Sequence, residues 1–384
     1  MNAPHLHWTR PDGSPAQALW RSEAGVAVPK RVQLVDDITP ADTAYKLACE
    51  GTALLWQGDF QNARHLLQAL TRRLERLPGQ GKAPTKPQAD TPTQAFHRHR
   101  QQLAHRARIL GMLLLPFEAG HTIPLRRAPD VRQACEEAYG PPTEPYVASL
   151  RELLGLIGAH EWRKKGVEVP ALKGRIHAHY GVFSPVRGEY VDLVARAPLP
   201  ARVDQAFDIG TGTGVLAAVL ARRIQGPVTA TDQDPRALAC AAANLQRLQL
   251  STRVNLISAD LYPEGLDNRA DLVVCNPPWL PAKPSSPIEY AVYDPDSRML
   301  RGFLSGLASH LTAQGEGWLI MSDLAEQLGL RAPGEFTGWI AEAGLTVAGR
   351  LDTRPRHPKA SDPSDPLHRA RAAEVTSLWR LRLA

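Results

Sequence analysis

The sequence predicts an α/β protein in two parts: a mainly helical region over residues 1–165, then a mainly parallel sheet with helices on both faces over 166–384. Three observations lead there. The length, 384 residues, exceeds what one ordinary core holds. From about residue 203 onward, short β-rich runs alternate with helical runs. A glycine-rich turn follows the first of those strands and opens a helix, as in doubly wound sheets.

Composition sets the outer limits. Charged residues make up 22% and hydrophobic residues 43%, as in a globular protein. The formal charge of +6 is compatible with nucleic-acid binding without requiring it. Cys49, Cys135, Cys240 and Cys275 show no CxxC spacing, so neither a zinc site nor a disulfide framework is expected. The residues from Met1 to Arg10 lack an apolar signal core, and no run of about 18 apolar residues occurs. A cytoplasmic protein without membrane or metal partners is expected.

The first 30 or so residues are rich in Pro, Gly and Trp and show no clear period. Residues 41–57 read as a helix, with Ala44, Leu47, Ala48, Gly51, Leu54 and Leu55 along one side. Residues 60–77 repeat the pattern through Ala63, Leu66, Leu67, Leu70, Leu74 and Leu77, and Pro78 and Gly79 end it. Residues 78–93 are Pro-, Gly- and polar-rich and read as a mobile loop or linker. A third helix over 94–115 carries His97, Arg98, His99, Arg100, His105, Arg106 and Arg108 before an apolar end at Ile109–Leu115. Helical stretches at 129–139 and 143–160 complete a region without a catalytic motif.

Beyond residue 166, strands are expected near 203–209, 227–231, 253–258, 271–275 and 316–322, with helices at 214–225, 235–250, 297–313 and 323–329. A helix at 333–343, a strand at 345–352, a Pro-rich loop and a strand at 374–382 follow. The last two strands would close the sheet edge as an antiparallel pair. His357 and His368 fall in the loop and are expected to face solvent.

The sharpest local feature is the run Phe207-Asp208-Ile209-Gly210-Thr211-Gly212-Thr213-Gly214. Glycines let the backbone turn tightly and let a ligand approach without a Cβ in the way. A dinucleotide turn needs G-x-G-x-x-G, and a phosphate loop needs a Lys after its last glycine; this turn has neither. A turn for S-adenosylmethionine (SAM), with the acid Asp208 just before the glycines, is the third reading, beside a tight turn that holds no ligand. The next strand ends in Asp232, 22 residues beyond Gly210, where a carboxylate can accept two hydrogen bonds from ribose hydroxyls. Asp234, just before Pro235, suits the cap of the following helix. The third strand leads to Asp260, which could take the exocyclic amine of adenine.

The fourth strand ends in Asn276-Pro277-Pro278-Trp279. Two prolines stop the ladder and stiffen the turn. The Asn276 amide oxygen and the Pro277 carbonyl then present two acceptors in a fixed arrangement beside the flat face of Trp279. Such a site suits a planar –NH2 with a delocalised lone pair. Two accepted N–H bonds aim that lone pair at an electrophile, so orientation and electrostatic preorganisation replace a strong base.

With DIGTGTG at 208–214, TATDQDP at 229–235, SADLYP at 258–263 and NPPW at 276–279, the chain resembles class I SAM-dependent methyltransferases. Within them it is most similar to the small-methyltransferase group of release-factor glutamine enzymes and ribosomal RNA guanine exocyclic-amine enzymes. The likeness covers roughly 170–325. It implies a Rossmann-like seven-stranded sheet. It also implies that Gly210, Thr211, Gly212, Thr213 and Gly214 lie along the methionine and ribose of SAM. Asp232 would then bind the ribose, Asp260 and Leu261 would flank the adenine, and Asn276 would touch both cofactor and substrate. Upstream, Tyr180–Glu189 resembles the family's cap over the methyl group, with Phe183 and Glu189 shaping the pocket. Trp279 stands where the release-factor enzymes usually have Tyr and the RNA enzymes often Phe, so this aromatic does not identify the substrate.

Three substrate readings follow. An RNA nucleobase amine, in ribosomal or transfer RNA, is favoured by the basic stretch 94–108 and the positive charge. A protein glutamine amide, as on a translation factor, is suggested by PIEYAVYDPDSRMLRGFL at 287–304. A non-catalytic SAM-binding module or a small-molecule amine acceptor stands behind both. Residues 1–165 would serve substrate recognition.

Overall fold

The computed structural model describes residues 4–75, 90–141, 144–265, 269–284, 287–356 and 361–384. Its backbone divides into two compact units: Met1–Asp90 with His97–Glu161, and Thr91–Phe96 with Trp162–Ala384.

The first unit contains β1 (His5–Thr9), β2 (Pro15–Trp20), β3 (Arg31–Val35), α1 (Ala41–Cys49), β4 (Thr52–Trp56) and α2 (Phe60–Glu75). It continues with α3 (Pro92–Leu110), β5 (Leu113–Phe117), α4 (Arg132–Tyr139), β6 (Tyr146–Ser149) and α5 (Leu150–Lys165). The first turn of α3 and the end of α5 belong to the second unit. The helical expectation for 1–165 is therefore incomplete. Among the described residues five helices are present, but six strands join in the order β1-β2-β6-β5-β4-β3, with β3, β4 and β5 mutually parallel. Two glycines explain what was missed. Gly51, at φ +78°, ends α1, so residues 52–56 emerge as a strand buried at every position. At Gly111 a Cβ would stand 2.9 Å from the Ala107 carbonyl oxygen, which ends α3 and releases Leu113–Phe117 as β5. A short, fully buried strand and a buried helix share the same unbroken apolar run, so periodicity alone does not separate them. Residues 78–89 of the expected loop lie outside the described residues, and Pro92 and Thr93 already belong to α3.

The second unit opens with a small hairpin, β7 (Val167–Val169) and β8 (Gly174–Ile176), and then α6 (Glu189–Arg196). The expected alternation follows: β9 (Ala206–Ile209), α7 (Val215–Arg223), β10 (Val228–Asp232), α8 (Pro235–Arg247), β11 (Val254–Ser258) and β12 (Ala270–Cys275). The chain finishes with α9 (Arg298–His310), β13 (Leu311–Ser322), α10 (Leu324–Gln327), α11 (Glu335–Glu342), β14 (Leu345–Thr353), α12 (His368–Ala373) and β15 (Thr376–Leu383). The seven strands run β11-β10-β9-β12-β13-β15-β14. The first five are parallel; β15 lies antiparallel between β13 and β14, so the final pair closes the edge with its last strand inserted inward.

Side chains alternate between two cores, as the pleat requires. Ala206, Leu272, Val274, Trp318 and Ile320 pack under α6, α7 and α8. Phe207, Ile209, Val273, Cys275, Leu319 and Met321 pack under α9 and α11. Both faces are covered, which is why the parallel strands read as continuous apolar runs. His368 is half-buried at the start of α12 rather than facing solvent from a loop; His357 lies outside the described residues.

Toward the other end of this sheet a carboxylate is fully enclosed beside two guanidinium groups. Glu316 of β13 is held by Arg380 of β15 at 2.7 Å, by Arg382, and by the Trp318 indole N–H at 3.1 Å.

Candidate active site

The site forms where the strand order reverses, at the C-terminal ends of β9, β10 and β12. Asp208 is enclosed on β9, and one of its oxygens accepts from the Thr211 hydroxyl at 2.6 Å and the Ala217 backbone N–H at 2.9 Å. Burial pushes its carboxyl up to about 6, against those two hydrogen bonds. Asp208 thus ties the glycine turn to the first turn of α7.

Gly210, Gly212 and Gly214 all adopt positive φ, at +72°, +53° and +78°. Their surroundings differ. A Cβ on Gly210 would lie 2.5 Å from the Met299 methyl, and one on Gly214 would lie 3.1 Å from the Cβ of Ala241 in α8. A Cβ on Gly212 would meet nothing within 4 Å. Gly214 is therefore there for helix packing, whereas Gly212 keeps an open face clear. Thr211 and Thr213 are buried, and the Thr213 carbonyl accepts from Asn244 Nδ2 at 3.0 Å.

The Gly212 N–H donates to Asp232 Oδ2 at 2.9 Å, and the Asp234 N–H donates to Asp232 Oδ1 at 3.0 Å. Each carboxylate oxygen keeps a further lone pair for a hydroxyl. Burial raises the Asp232 carboxyl above its usual value. Asp234 caps α8, accepting from the Arg236 N–H at 2.9 Å ahead of Pro235 at the first helical position.

On the next loop the Leu261 carbonyl accepts from the Thr231 hydroxyl at 2.5 Å, and Leu261 itself sits at φ +77°. Asp260 is exposed and ion-paired with Arg298 at the start of α9. Any adenine amine taken by Asp260 would share it with that guanidinium.

At the end of β12, Asn276 is half-buried, Pro277 buried, and Pro278 and Trp279 half-buried. The Trp279 indole N–H donates to Asn276 Oδ1 at 3.1 Å. Trp279 packs against both apolar cores. The segment beyond is pinned by the bridge between Leu280 and Tyr293. Asp294, buried, accepts from the N–H groups of Met299 and Leu300 at 3.0 and 3.1 Å and so caps α9.

The structure thus joins Asp208, Gly210–Gly214 and Asp232 by direct hydrogen bonds, and Asn276 with Trp279 in the same way. Phe183 is half-buried just after the turn from His179 to Val182, and buried Glu189 accepts from the Arg356 N–H at 3.3 Å. Sequence reasoning missed two neighbours of Trp279 and the carboxylate behind one of them. The Arg187 guanidinium lies 6.0 Å from its ring centroid and pairs with buried Glu374 at 3.5 Å. Arg331, also buried, reaches the Trp279 carbonyl at 3.5 Å. Their partners lie 52 to 187 positions away, beyond any local motif.

Among the described residues, no group of His, Cys, Asp or Glu is arranged to hold a metal ion, and no helix is long and apolar enough to cross a membrane.

Residues 173–325 match the model of the methyltransferase small domain family. The chain is 31% identical over 178 residues to a tRNA1(Val) (adenine(37)-N6)-methyltransferase of Shewanella amazonensis, covering 45% of this chain and 72% of that protein. It is 37% identical over 91 residues to a release factor glutamine methyltransferase of Geobacter sulfurreducens, covering 23% of this chain and 30% of that protein. A solved ribosomal protein L11 methylase from Lactobacillus delbrueckii subsp. bulgaricus aligns at 18% identity with a TM-score of 0.38, over 56% of this chain and 91% of that one.

Proposed function

The chain belongs to the small-domain family of SAM-dependent methyltransferases, and from that premise we propose that it methylates an exocyclic amine of an RNA base. It is an enzyme that uses SAM and transfers a methyl group to nitrogen.

The residues fit the cofactor. Gly212 presents an open backbone face, with nothing within 4 Å of where a Cβ would stand, and Asp232 keeps lone pairs beside it. We assign Gly210 to Gly214 to the methionine and ribose portion, Asp232 to the ribose hydroxyls, and Asp260 with Leu261 to the adenine edge. Asp208 holds the turn in shape, and Phe183 belongs to the cap. Bound there, SAM supplies an electrophilic methyl on a sulfonium.

The observation that carries the chemistry is the Asn276 carboxamide oxygen, held by the Trp279 indole at the end of β12. One lone pair of that oxygen takes the indole N–H; the other accepts an N–H of the substrate amine. The Pro277 carbonyl is assigned the second N–H. The amine lone pair then leaves the plane toward the cofactor side. With SAM bound, one N–C bond would form as the methyl–sulfur bond breaks, the electron pair staying on sulfur and S-adenosylhomocysteine leaving; one N–H bond would break and its proton go to solvent, so no strong base is needed. Pro278 stiffens the turn, and the Trp279 ring offers a stacking surface.

Two observations support RNA as the acceptor. A matched tRNA adenine-N6 enzyme is covered over 72% of its length, against 56% for a matched release factor glutamine enzyme. The whole positive excess also lies in residues 1–165, which hold 22 Lys and Arg against 16 Asp and Glu, whereas 166–384 hold 23 of each. We propose that residues 1–165 dock the nucleic acid through phosphate contacts. Within α3, Arg98 pairs with Asp90 and Arg106 with Glu75, so part of its charge is already matched. A protein glutamine amide is the second reading, favoured by the shorter match to the release-factor enzyme.

The test is methyl transfer from tritiated SAM into an extract of cells lacking the gene, with RNA and protein fractions separated. Label in RNA that disappears with Asn276→Ala supports the proposal. Label confined to a protein band replaces RNA with the glutamine-type acceptor.

A further inference from the structure

A carboxamide has two ends of similar shape, and only one can accept. The reaction proposed for Asn276 requires Oδ1, not Nδ2, to face the amine. With the Trp279 Nε1 3.1 Å from Oδ1, a flipped carboxamide would set two donors against each other. The indole N–H thus selects the productive end and still leaves one oxygen lone pair. Phenylalanine has no donor to do this.

Trp279 is itself contacted at its backbone and at its ring. Arg331 reaches its backbone carbonyl at 3.5 Å. The Arg187 guanidinium lies 6.0 Å from its ring centroid, within reach of a cation–π interaction. Arg187 in turn forms an ion pair with Glu374, a fully buried carboxylate 3.5 Å away, just ahead of β15. The other Glu374 oxygen accepts from the Ser322 hydroxyl at 2.7 Å, at the end of β13. A buried carboxylate requires a cation, so Glu374 sets where Arg187 stands.

We infer that Arg187 and Glu374 are positioning residues: they seat the Trp279 ring, and the indole N–H then holds the Asn276 oxygen toward the substrate amine. The inference rests on the proposed role of Asn276. It explains why this chain carries Trp after Asn-Pro-Pro, and it gives Trp279 a second task beside stacking.

The experiment is a mutant cycle on the purified full chain, with total transfer RNA from cells lacking the gene as acceptor and labelled SAM as donor. Trp279→Phe keeps the ring and removes the donor. It is expected to lower kcat about tenfold, with KM for RNA and the Kd for SAM within about twofold of wild type. Arg187→Gln is expected to lower kcat about fivefold, and Arg187→Lys to recover part of that loss. Because Arg187 acts through the indole, the double variant should be no slower than Trp279→Phe alone. The Trp279 indole N–H resonance in a proton–nitrogen spectrum should move in both Asn276→Ala and Arg187→Gln. Losses that multiply in the double variant, or an indole resonance unmoved by Arg187→Gln, would overturn the inference. Asn276→Ala with full activity would instead defeat the underlying reading of Asn276. An inactive Asn276→Ala beside an unimpaired Trp279→Phe would defeat the positioning chain alone. Should Glu374→Gln fail to fold, the Arg187 variants carry the test.

Discussion

Gly212 and Gly214 share a left-handed backbone, at φ +53° and +78°, yet alanine at the two positions should fail in different ways. The conformational cost is common to both, about 1–2 kcal/mol for an L-residue in this region. At Gly214 the new methyl would lie 3.1 Å from Ala241 Cβ and 3.2 Å from its Cα, in the buried seam between α7 and α8. Backbone cannot swing aside as a side-chain tip can, so overpacking adds about 1–3 kcal/mol. Gly214→Ala should therefore lose about 2–5 kcal/mol in all. At Gly212 the methyl meets nothing within 4 Å, so stability should fall only by the conformational part. It would stand in the space assigned to the cofactor, however, and SAM affinity should drop at least about tenfold, the cost of about 1.4 kcal/mol in lost contact. Urea unfolding and titration calorimetry with SAM read the two effects separately. Gly212→Ala with unchanged SAM affinity would refute the assignment of that face to the cofactor. Equal destabilisation at both positions would refute the packing argument.

Two further outcomes follow from buried charge. Asp208 has a folded-state value of about 6 against an ordinary 3.8, so protonation favours the folded state. Its contribution is fully present below about pH 4 and is lost as the pH rises through about 6, amounting to roughly 3 kcal/mol. Asp208→Asn keeps an acceptor for Thr211 and Ala217; its stability relative to wild type should rise from pH 4 to pH 7 in urea unfolding, and parallel curves would contradict this. Burial pushes the Glu316 carboxyl up, but Arg380, Trp318 and Arg382 more than offset it and hold it below its usual value. Glu316→Gln leaves two guanidinium groups without their carboxylate and should cost about 2 kcal/mol in the same assay, Arg382 being half open to water; an unchanged midpoint would show that the pair adds nothing.

Much of the second unit was legible in the sequence because its signals are local. Asp208, the three glycines and Asp232 fall on one strand–turn–helix–strand unit, and Asp234 with Pro235 marks a helix start within two residues. The first unit hid its sheet because β4 and β5 each follow a helix after two residues, and their apolar runs continue the helical pattern unless Gly51 and Gly111 are read as stops. The centre of the candidate site, Asn276 with Trp279, is a contact across three residues and could be anticipated in kind. Its supports could not: Glu374 meets Arg187 only because β15 inserts beside β13. The Asp260–Arg298 pair was hidden for the same reason, since it depends on where α9 begins relative to β11.

Transfer to an exocyclic nitrogen held by Asn276 is the central step of the proposed function. The direct measurement is mass spectrometry of nucleosides from RNA treated with the enzyme and SAM carrying a trideuterated methyl. Label on an exocyclic amine, lost in Asn276→Ala, is the predicted result. Label on a ring nitrogen, a carbon or a ribose oxygen, or exocyclic label that persists in Asn276→Ala, would contradict it.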